Sequence, residues 1–200
     1  MSKTVFDVVH KEITLSALAV SIADTFVLER MHFIKQMGNA YRVFPTSTHT
    51  RKSHSIGVYH VTKQTLDHLI SENKIIVKGG DFKSLSPIEM NQWVKKGNIP
   101  VINNLEYEWI CIGGLVHDIG HGPASHTFDE LLKEYQSRGL IQPENNWVDH
   151  EVRSRDFFKY LVKNSNIDIC NYGIDYVCNV IEPGKEYIND FRFQIVNNKV

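Results

Sequence analysis

One ten-residue string, His117-Asp118-Ile119-Gly120-His121-Gly122-Pro123-Ala124-Ser125-His126, holds three histidines and an aspartate. Neutral imidazole and carboxylate are ligands of intermediate softness that suit a divalent first-row metal. Adjacent residues on an α-helix point about 100° apart, because a turn takes about 3.6 residues. His117 and Asp118 can therefore share an ion only at a helix end or a local distortion, and Gly120 and Gly122 directly afterwards supply such an end. The plainer alternative is a polar helix terminus with capping histidines. It explains an isolated His-Asp pair well and three histidines in so short a string poorly.

Two further clusters could join this chemistry. The segment Thr48 to Val58 contains His49, Arg51 and His54. A single histidine at a helix start is ordinarily a cap or a satisfied core residue, and His54 is a ligand only in company. Arg51 carries a rigid fork of donors that matches phosphate, although an arginine without context is first a solvated surface residue. Asp149-His150-Glu151 reads as a helix start with Asp149 as the N-cap, whether or not His150 does chemistry.

The elements that must position these residues follow from periodicity. Residues 5–15 partly alternate and are β-branched, which predicts a short strand or extended arm. Leu15, Leu18, Ala19, Ile22 and Phe26 recur at helical spacing. They predict a helix to about Gln36, with a break near Asp24-Thr25 and a stop at Gly38. Residues 41–53 read as an ordered loop, and a second helix runs from near His54 to about Glu72. Gly79-Gly80, Pro87, Gly97-Asn98 and Pro100 punctuate 73–104, which reads as a surface excursion. Within it Ser86 and Pro87 suit the N-cap and first position of a helix over 86–96. Glu108 to Val116 is apolar on every side, so periodicity does not separate a buried helix from a buried strand. Pro123 is placed to open a helix ending before Gly139. Further helices start near Asp149 and span 172–182, and the end, YINDFRFQIVNN, alternates like a strand or hairpin. The prediction is a mainly α chain with minor β at the N-terminal arm and the C-terminal end. It forms a single domain over 1–200, with a surface insertion at about 73–104.

Composition narrows the function classes. The chain has 200 residues, 42% hydrophobic and 22% charged, and a formal net charge of −1. It is long enough to bury its own core. Near-balanced charge excludes a generally basic nucleic-acid coat and an acidic disordered tail. No apolar run approaches the roughly 20 residues that cross a bilayer, and the start, MSKTVFDVVHKEITL, has no signal-peptide apolar region. Cys111, Cys170 and Cys178 form no CxxC pair. They argue against a disulfide framework or a structural zinc site, and for a reducing intracellular compartment, cytoplasm or nucleus. Any metal would be held by imidazole and carboxylate.

The three clusters together resemble the HD-domain phosphohydrolases, and more narrowly the dNTP triphosphohydrolases of the sterile-alpha-motif and HD-domain type. The resemblance begins at Ile22-Ala23-Asp24-Thr25 and continues through Phe33 to Gly38, Val43-Phe44-Pro45, His49, Arg51 and His54 to Val58. It resumes from Gly113 to Asp129, then at His150-Glu151 and at Ile195-Val196-Asn197-Asn198, leaving out the 73–104 excursion. It implies an HD-domain helical fold in which His54, His117 and Asp118 are metal ligands. The cofactor would be a divalent ion: manganese, iron, magnesium or zinc. His121, His126, Asp129 and His150 would surround the α-phosphate, Arg51 would contact phosphate, and Gln36 and Met37 would stand beside the sugar. The implied reaction converts dNTP and water to deoxynucleoside and inorganic triphosphate. His126, with Asp129 three residues later on the same helix face, could be an oriented general acid.

Two departures qualify what the resemblance implies. A fourth metal ligand, an aspartate in an aromatic-flanked segment, is expected downstream of the Asn-rich stretch, and the sequence ends at Val200 before it. Asp168, Asp175 and Asp190 do not match that motif. Weak ion binding and poor or no dNTP hydrolysis are the expectation for residues 1–200 alone. Lys3 and Asp24 fit a regulatory guanine site, but its glutamine and arginine positions are here Glu29 and His32, which should weaken guanine-nucleotide binding. Two other readings stay open: an HD hydrolase of another nucleotide, and a catalytically incomplete module that binds nucleotide or a protein partner. The expected partner is a dNTP-like nucleotide, with no membrane and no nucleic acid; a homo-oligomer is compatible with the sequence.

Overall fold

The alternation of residues 5–15 arises from two strands. In the computed structural model, which describes residues 1–80, 82–142, 146–185 and 187–193, β1 (Lys3–Asp7) pairs antiparallel with β2 (Lys11–Leu15). Asp7 closes the turn by accepting from the backbone N–H of Val9 and His10 at 2.9 and 2.8 Å. Ile13 and Leu15 face inward and are buried. The predicted first helix divides where the sequence suggested. α1 (Ala17–Ala23) is capped by Ser16, whose hydroxyl accepts from Ala19 N–H at 3.1 Å. After Asp24-Thr25 come α2 (Phe26–Glu29) and a single 3₁₀ turn, Arg30–Phe33. The helical stretch thus ends before Gln36. Gly38 lies beyond it in the left-handed region, φ +52°, where a Cβ would stand 2.8 Å from the Ala124 carbonyl oxygen.

The remaining helices are α3 (Arg51–Ser71), α4 (Pro87–Lys95), α5 (Asn104–Val116), α6 (His126–Ser137), α7 (His150–Asn164) and α8 (Asn171–Ile181). α4 begins with a capping box between Ser86 and Glu89, as its sequence requires. α5 settles the ambiguity of 108–116 in favour of helix; Trp109, Ile110, Cys111, Ile112, Leu115 and Val116 are all buried. α6 starts at His126, three residues later than Pro123. Ala124 and Ser125 have φ of +61° and +57°, which no helix accommodates.

Strand structure beyond the hairpin also lies elsewhere than predicted. β3 (Ile76–Lys78) and β4 (Val101–Asn103) form a two-stranded parallel pair. Residues 187–193 hold turns and a 3₁₀ turn, Phe191–Phe193, in place of the expected C-terminal strand. The rest of that expected strand, 194–200, and the matched Ile195 to Asn198 lie outside the described residues.

Two compact units emerge: residues 1–57 with 115–168, and residues 58–114 with 169–200. In the first, Ile13, Leu15, Ile22, Leu28, Met31, Val116, Ile119 and Phe158 are buried. In the second, Tyr59, Leu66, Trp109, Tyr176, Val177 and Phe193 are buried. The 73–104 segment adds Ile75, Met90, Val101 and Ile102 to those buried residues, more than a purely superficial excursion requires. Among the described residues no helix is long and apolar enough to cross a membrane.

Candidate active site

Every residue singled out for chemistry falls in the first unit. His117 and Asp118 follow the last residue of α5, where the helix gives way to a turn closed by His121 N–H donating to Asp118 O at 3.0 Å. This is the helix end that adjacent ligands require. His54 comes from the first turn of α3, and its Nε2 stands 3.3 Å from Asp118 Oδ2. His117 Nε2 stands 3.3 Å from the other oxygen, Oδ1. One ligand atom from each of His54, His117 and Asp118 lies within 4.8 Å of the others. Residues more than sixty positions apart in the chain are thereby gathered around one carboxylate. Two imidazoles and a carboxylate at that spacing form a donor set that could hold a divalent cation.

A second cluster adjoins the first. His121, His126, Asp129 and His150 also offer ligand atoms within 4.8 Å of one another. Asp129 Oδ2 faces three imidazole Nδ1 atoms: His150 at 3.1 Å, and His121 and His126 at 3.6 Å each. His121 and His150 stack with ring centres 3.9 Å apart. Their Nε2 atoms turn toward Asp118 Oδ1, at 3.5 and 4.0 Å. Two imidazoles therefore bridge two carboxylates. His126 is the exposed member, with 66% of its side chain accessible, and is free to meet a ligand.

Burial and charge set the protonation states. Burial alone would raise the Asp118 carboxyl, but His121, His54, His117 and the Arg51 guanidinium overcome it and hold the group far below the usual carboxylate range. Burial pushes the His121 imidazole down to about 4, against the pull of Asp118. His121 is neutral at pH 7, with one nitrogen able to donate and the other to accept. Arg51 is 1% exposed, so the reading of a solvated surface arginine does not apply. Its Nη1 pairs with Asp118 Oδ2 and its Nε donates to Ser125 Oγ at 3.1 Å, while Nη2 is buried with no hydrogen-bond partner. An orphaned guanidinium donor beside this cluster suits an anionic ligand.

Gln36 and Met37 sit on the stretch that leads to Gly38. Gln36 N–H donates to the His49 carbonyl at 3.0 Å, and its Oε1 is buried without a hydrogen-bond partner. Met37 is about half exposed. Ser125 ties this stretch to the start of α6, donating to the Lys35 carbonyl at 2.7 Å while accepting from Arg51. The paired left-handed residues Ala124 and Ser125 are held in place by these bonds.

Four contributors escape the sequence reading. Ser125 is one. Arg30 donates to the carbonyls of Ile119 and His121, fixing the turn from behind. Ser154 Oγ accepts from Gly120 N–H at 2.8 Å. Arg153 is 3% exposed, pairs with Asp129 Oδ1 and donates to the Gly120 carbonyl at 2.8 Å. Its position three residues after His150, on the same helix face, was the available signal. Gly120 is where these meet. A Cβ there would lie 2.2 Å from the His150 carbonyl oxygen and 2.4 Å from Ser154 N, so the first turn of α7 rests directly on it.

No family model matches the chain. Among curated proteins, an HD domain-containing protein of Acanthamoeba polyphaga mimivirus is 32% identical over 94% of this chain. Human deoxynucleoside triphosphate triphosphohydrolase SAMHD1 is 32% identical over 82% of it, and the SAMHD1 homolog of Dictyostelium discoideum 28% identical over 78%. The chain spans 37% of the mimivirus protein, 22% of the human protein and 27% of the Dictyostelium protein. Similarity to these proteins over most of its length supports an HD-domain protein of the deoxynucleoside triphosphate triphosphohydrolase-like kind.

Proposed function

We propose that this protein is a metal-dependent phosphohydrolase that converts dNTPs to deoxynucleoside and inorganic triphosphate. The observation that carries the reading is the convergence of His54 on His117 and Asp118, beside a second set of histidines organised by Asp129. His54, His117 and Asp118 would hold the divalent ion, for which manganese, iron, magnesium and zinc are the candidates. Such an ion supplies positive charge at a phosphoryl oxygen and acidifies the attacking water.

This chain's own residues do the rest. Water attacks the α-phosphorus, a P–O bond forms to the water oxygen, and the P–O5′ bond breaks. The departing O5′ needs a proton. His126 is the donor in this reading, because it is the accessible imidazole and its Nδ1 lies 3.6 Å from Asp129 Oδ2. Arg51 Nη2, buried and without a partner, would take a phosphate oxygen. His121 and His150 would place the phosphate chain, and Gln36 and Met37 would line the sugar. Residues 1–200 would act as one HD domain, with 73–104 as an insertion that supplies none of these side chains. A reducing compartment, cytoplasm or nucleus, fits Cys111, Cys170 and Cys178, none of which forms a disulfide. A homo-oligomer is part of the same proposal.

The test is to incubate purified protein with each dNTP and Mn²⁺, measure triphosphate, and measure bound metal in parallel. Slow triphosphate release with weakly bound metal, both lost in His117→Ala, is the expected result. Release of pyrophosphate or orthophosphate would favour an HD hydrolase of another nucleotide. Nucleotide binding without bound metal or turnover would favour a binding module.

A further inference from the structure

Arg153 is a buried cation that the reaction outlined above does not use. It spends its three donor positions on three different elements: Nε on the Gly120 carbonyl at 2.8 Å, Nη1 on the Trp147 carbonyl and Nη2 on Asp129 Oδ1. The first two bonds alone would make it a strut between the start of α7 and the glycine turn. The third does something different. By occupying Oδ1 it leaves Oδ2 as the oxygen that faces the Nδ1 atoms of His121, His126 and His150. Without a donor on Oδ1 the carboxylate could rotate about its Cβ–Cγ bond and choose among three imidazoles. With it, a single oxygen, buried and with no hydrogen-bond partner in this structure, is presented to all of them as the acceptor on which an Nδ1–H can close. His126 and Asp129 lie on α6, His150 and Arg153 on α7, and His121 in the turn. The Arg153–Asp129 pair is thus a link by which α7 sets the geometry of the groups on α6.

We infer that Arg153 is a positioning residue: through Asp129 it fixes the tautomer and orientation of His126, and with it proton delivery to the leaving oxygen. The consequence for turnover rests on the phosphohydrolase reading; the control of Asp129 and its imidazoles does not. An imidazole whose Nδ1–H is held by a carboxylate presents Nε2 to its ligand in one tautomer. An error of about 1 Å in such a group costs on the order of 10²-fold in rate.

The test uses the full chain carrying Arg153→Gln or Arg153→Lys, each alone and combined with Asp129→Asn. Arg153→Gln should lower kcat on dNTPs about 10- to 100-fold, with KM changing less than about 3-fold. In the Asp129→Asn background the same substitution should cost less than about 3-fold, because the group it acts through is already gone. Arg153→Lys keeps the charge but not the three-way fork, so it should recover part of the loss and also serves if Arg153→Gln fails to fold. An equal loss in both backgrounds would make Arg153 an ordinary strut and overturn the inference, as would no loss at all. A second readout needs no turnover. In metal-free protein, the imidazole NMR cross-peaks of His121, His126 and His150 should move in Arg153→Lys while those of His54 and His117 stay. No movement, or equal movement of all five, contradicts the inference. If the unsubstituted protein hydrolyses no dNTP, the functional reading fails and this spectrum alone decides the role of Arg153.

Discussion

Replacing Gly120 by alanine isolates the contact on which the second histidine cluster depends. The new methyl would stand 2.2 Å from the His150 carbonyl oxygen, 2.4 Å from Ser154 N and 2.8 Å from Arg153 Cβ, where ordinary contact begins at 3.4 Å. The first two are backbone atoms that no rotamer change can move. The start of α7 must retreat by about 1.2 Å, the difference between 2.2 and 3.4 Å. That retreat carries His150 away from Asp129, now 3.1 Å from it, and strains the bonds from Gly120 N–H to Ser154 and from Arg153 to the Gly120 carbonyl. Overpacking of this kind costs about 1–3 kcal/mol of stability. Misplacement by about 1 Å lowers turnover roughly 10²-fold. His54 stands on α3 and His117 directly after α5, neither of them on the displaced start of α7, so bound metal should stay close to the unsubstituted level. Denaturant unfolding, metal analysis and dNTP turnover on Gly120→Ala measure the three quantities together. Full turnover with unchanged stability would refute the packing of α7 on Gly120. Loss of metal in step with turnover would refute the separation of the two clusters.

His126→Ala should slow dNTP turnover by about 10²–10⁴-fold while leaving bound metal intact, whereas His117→Ala should lose both; equal metal loss in the two variants would place His126 among the ligands. The metal-free protein should lose stability as pH falls from 6.5 toward 4, because His121, with its folded pKa pushed down to about 4, resists a proton that the unfolded chain accepts. Melting curves across that range should be flatter for His121→Gln, and an unchanged slope would contradict the assignment. Ala124→Gly should leave stability unchanged or raise it by up to about 1 kcal/mol, since φ of +61° strains alanine and not glycine. A clear loss in denaturant unfolding would show that the Ala124 methyl contributes packing that outweighs the strain.

The candidate ligand cluster was the most legible part of the sequence, because it is local at its centre. His117, Asp118 and the glycines after them state both the donors and the helix end that lets adjacent donors converge. The Ser86-Pro87 start of α4 was equally plain, being a property of four consecutive residues. The hairpin was half legible. Its alternation showed, but Val8 and Val9 at its tip are apolar and exposed, so nothing in composition marked the turn that Asp7 closes. The start of α6 was misplaced because Pro123 is a good helix opener by itself. Ala124 and Ser125 are kept out of the helix by bonds that reach Ser125 from Arg51 and pass on to Lys35, 74 and 90 residues away in sequence. The pairing of Arg153 was hidden for the same reason, its partner Asp129 being 24 residues distant and on another helix, and its spacing from His150 alone did not reveal it. The burial of Arg51 overturned the default of a surface arginine, and only its pairing with Asp118 explains how a cation persists there.

The central claim is that this cluster cleaves the bond between the α-phosphorus and O5′ of a dNTP. The most direct test is hydrolysis in ¹⁸O-labelled water with Mn²⁺, followed by ³¹P NMR of the products. The account predicts inorganic triphosphate with one ¹⁸O on a terminal phosphorus, an equal amount of unlabelled deoxynucleoside, and neither product from His117→Ala. Label in the deoxynucleoside, release of pyrophosphate or orthophosphate instead of triphosphate, or equal turnover by His117→Ala would contradict it.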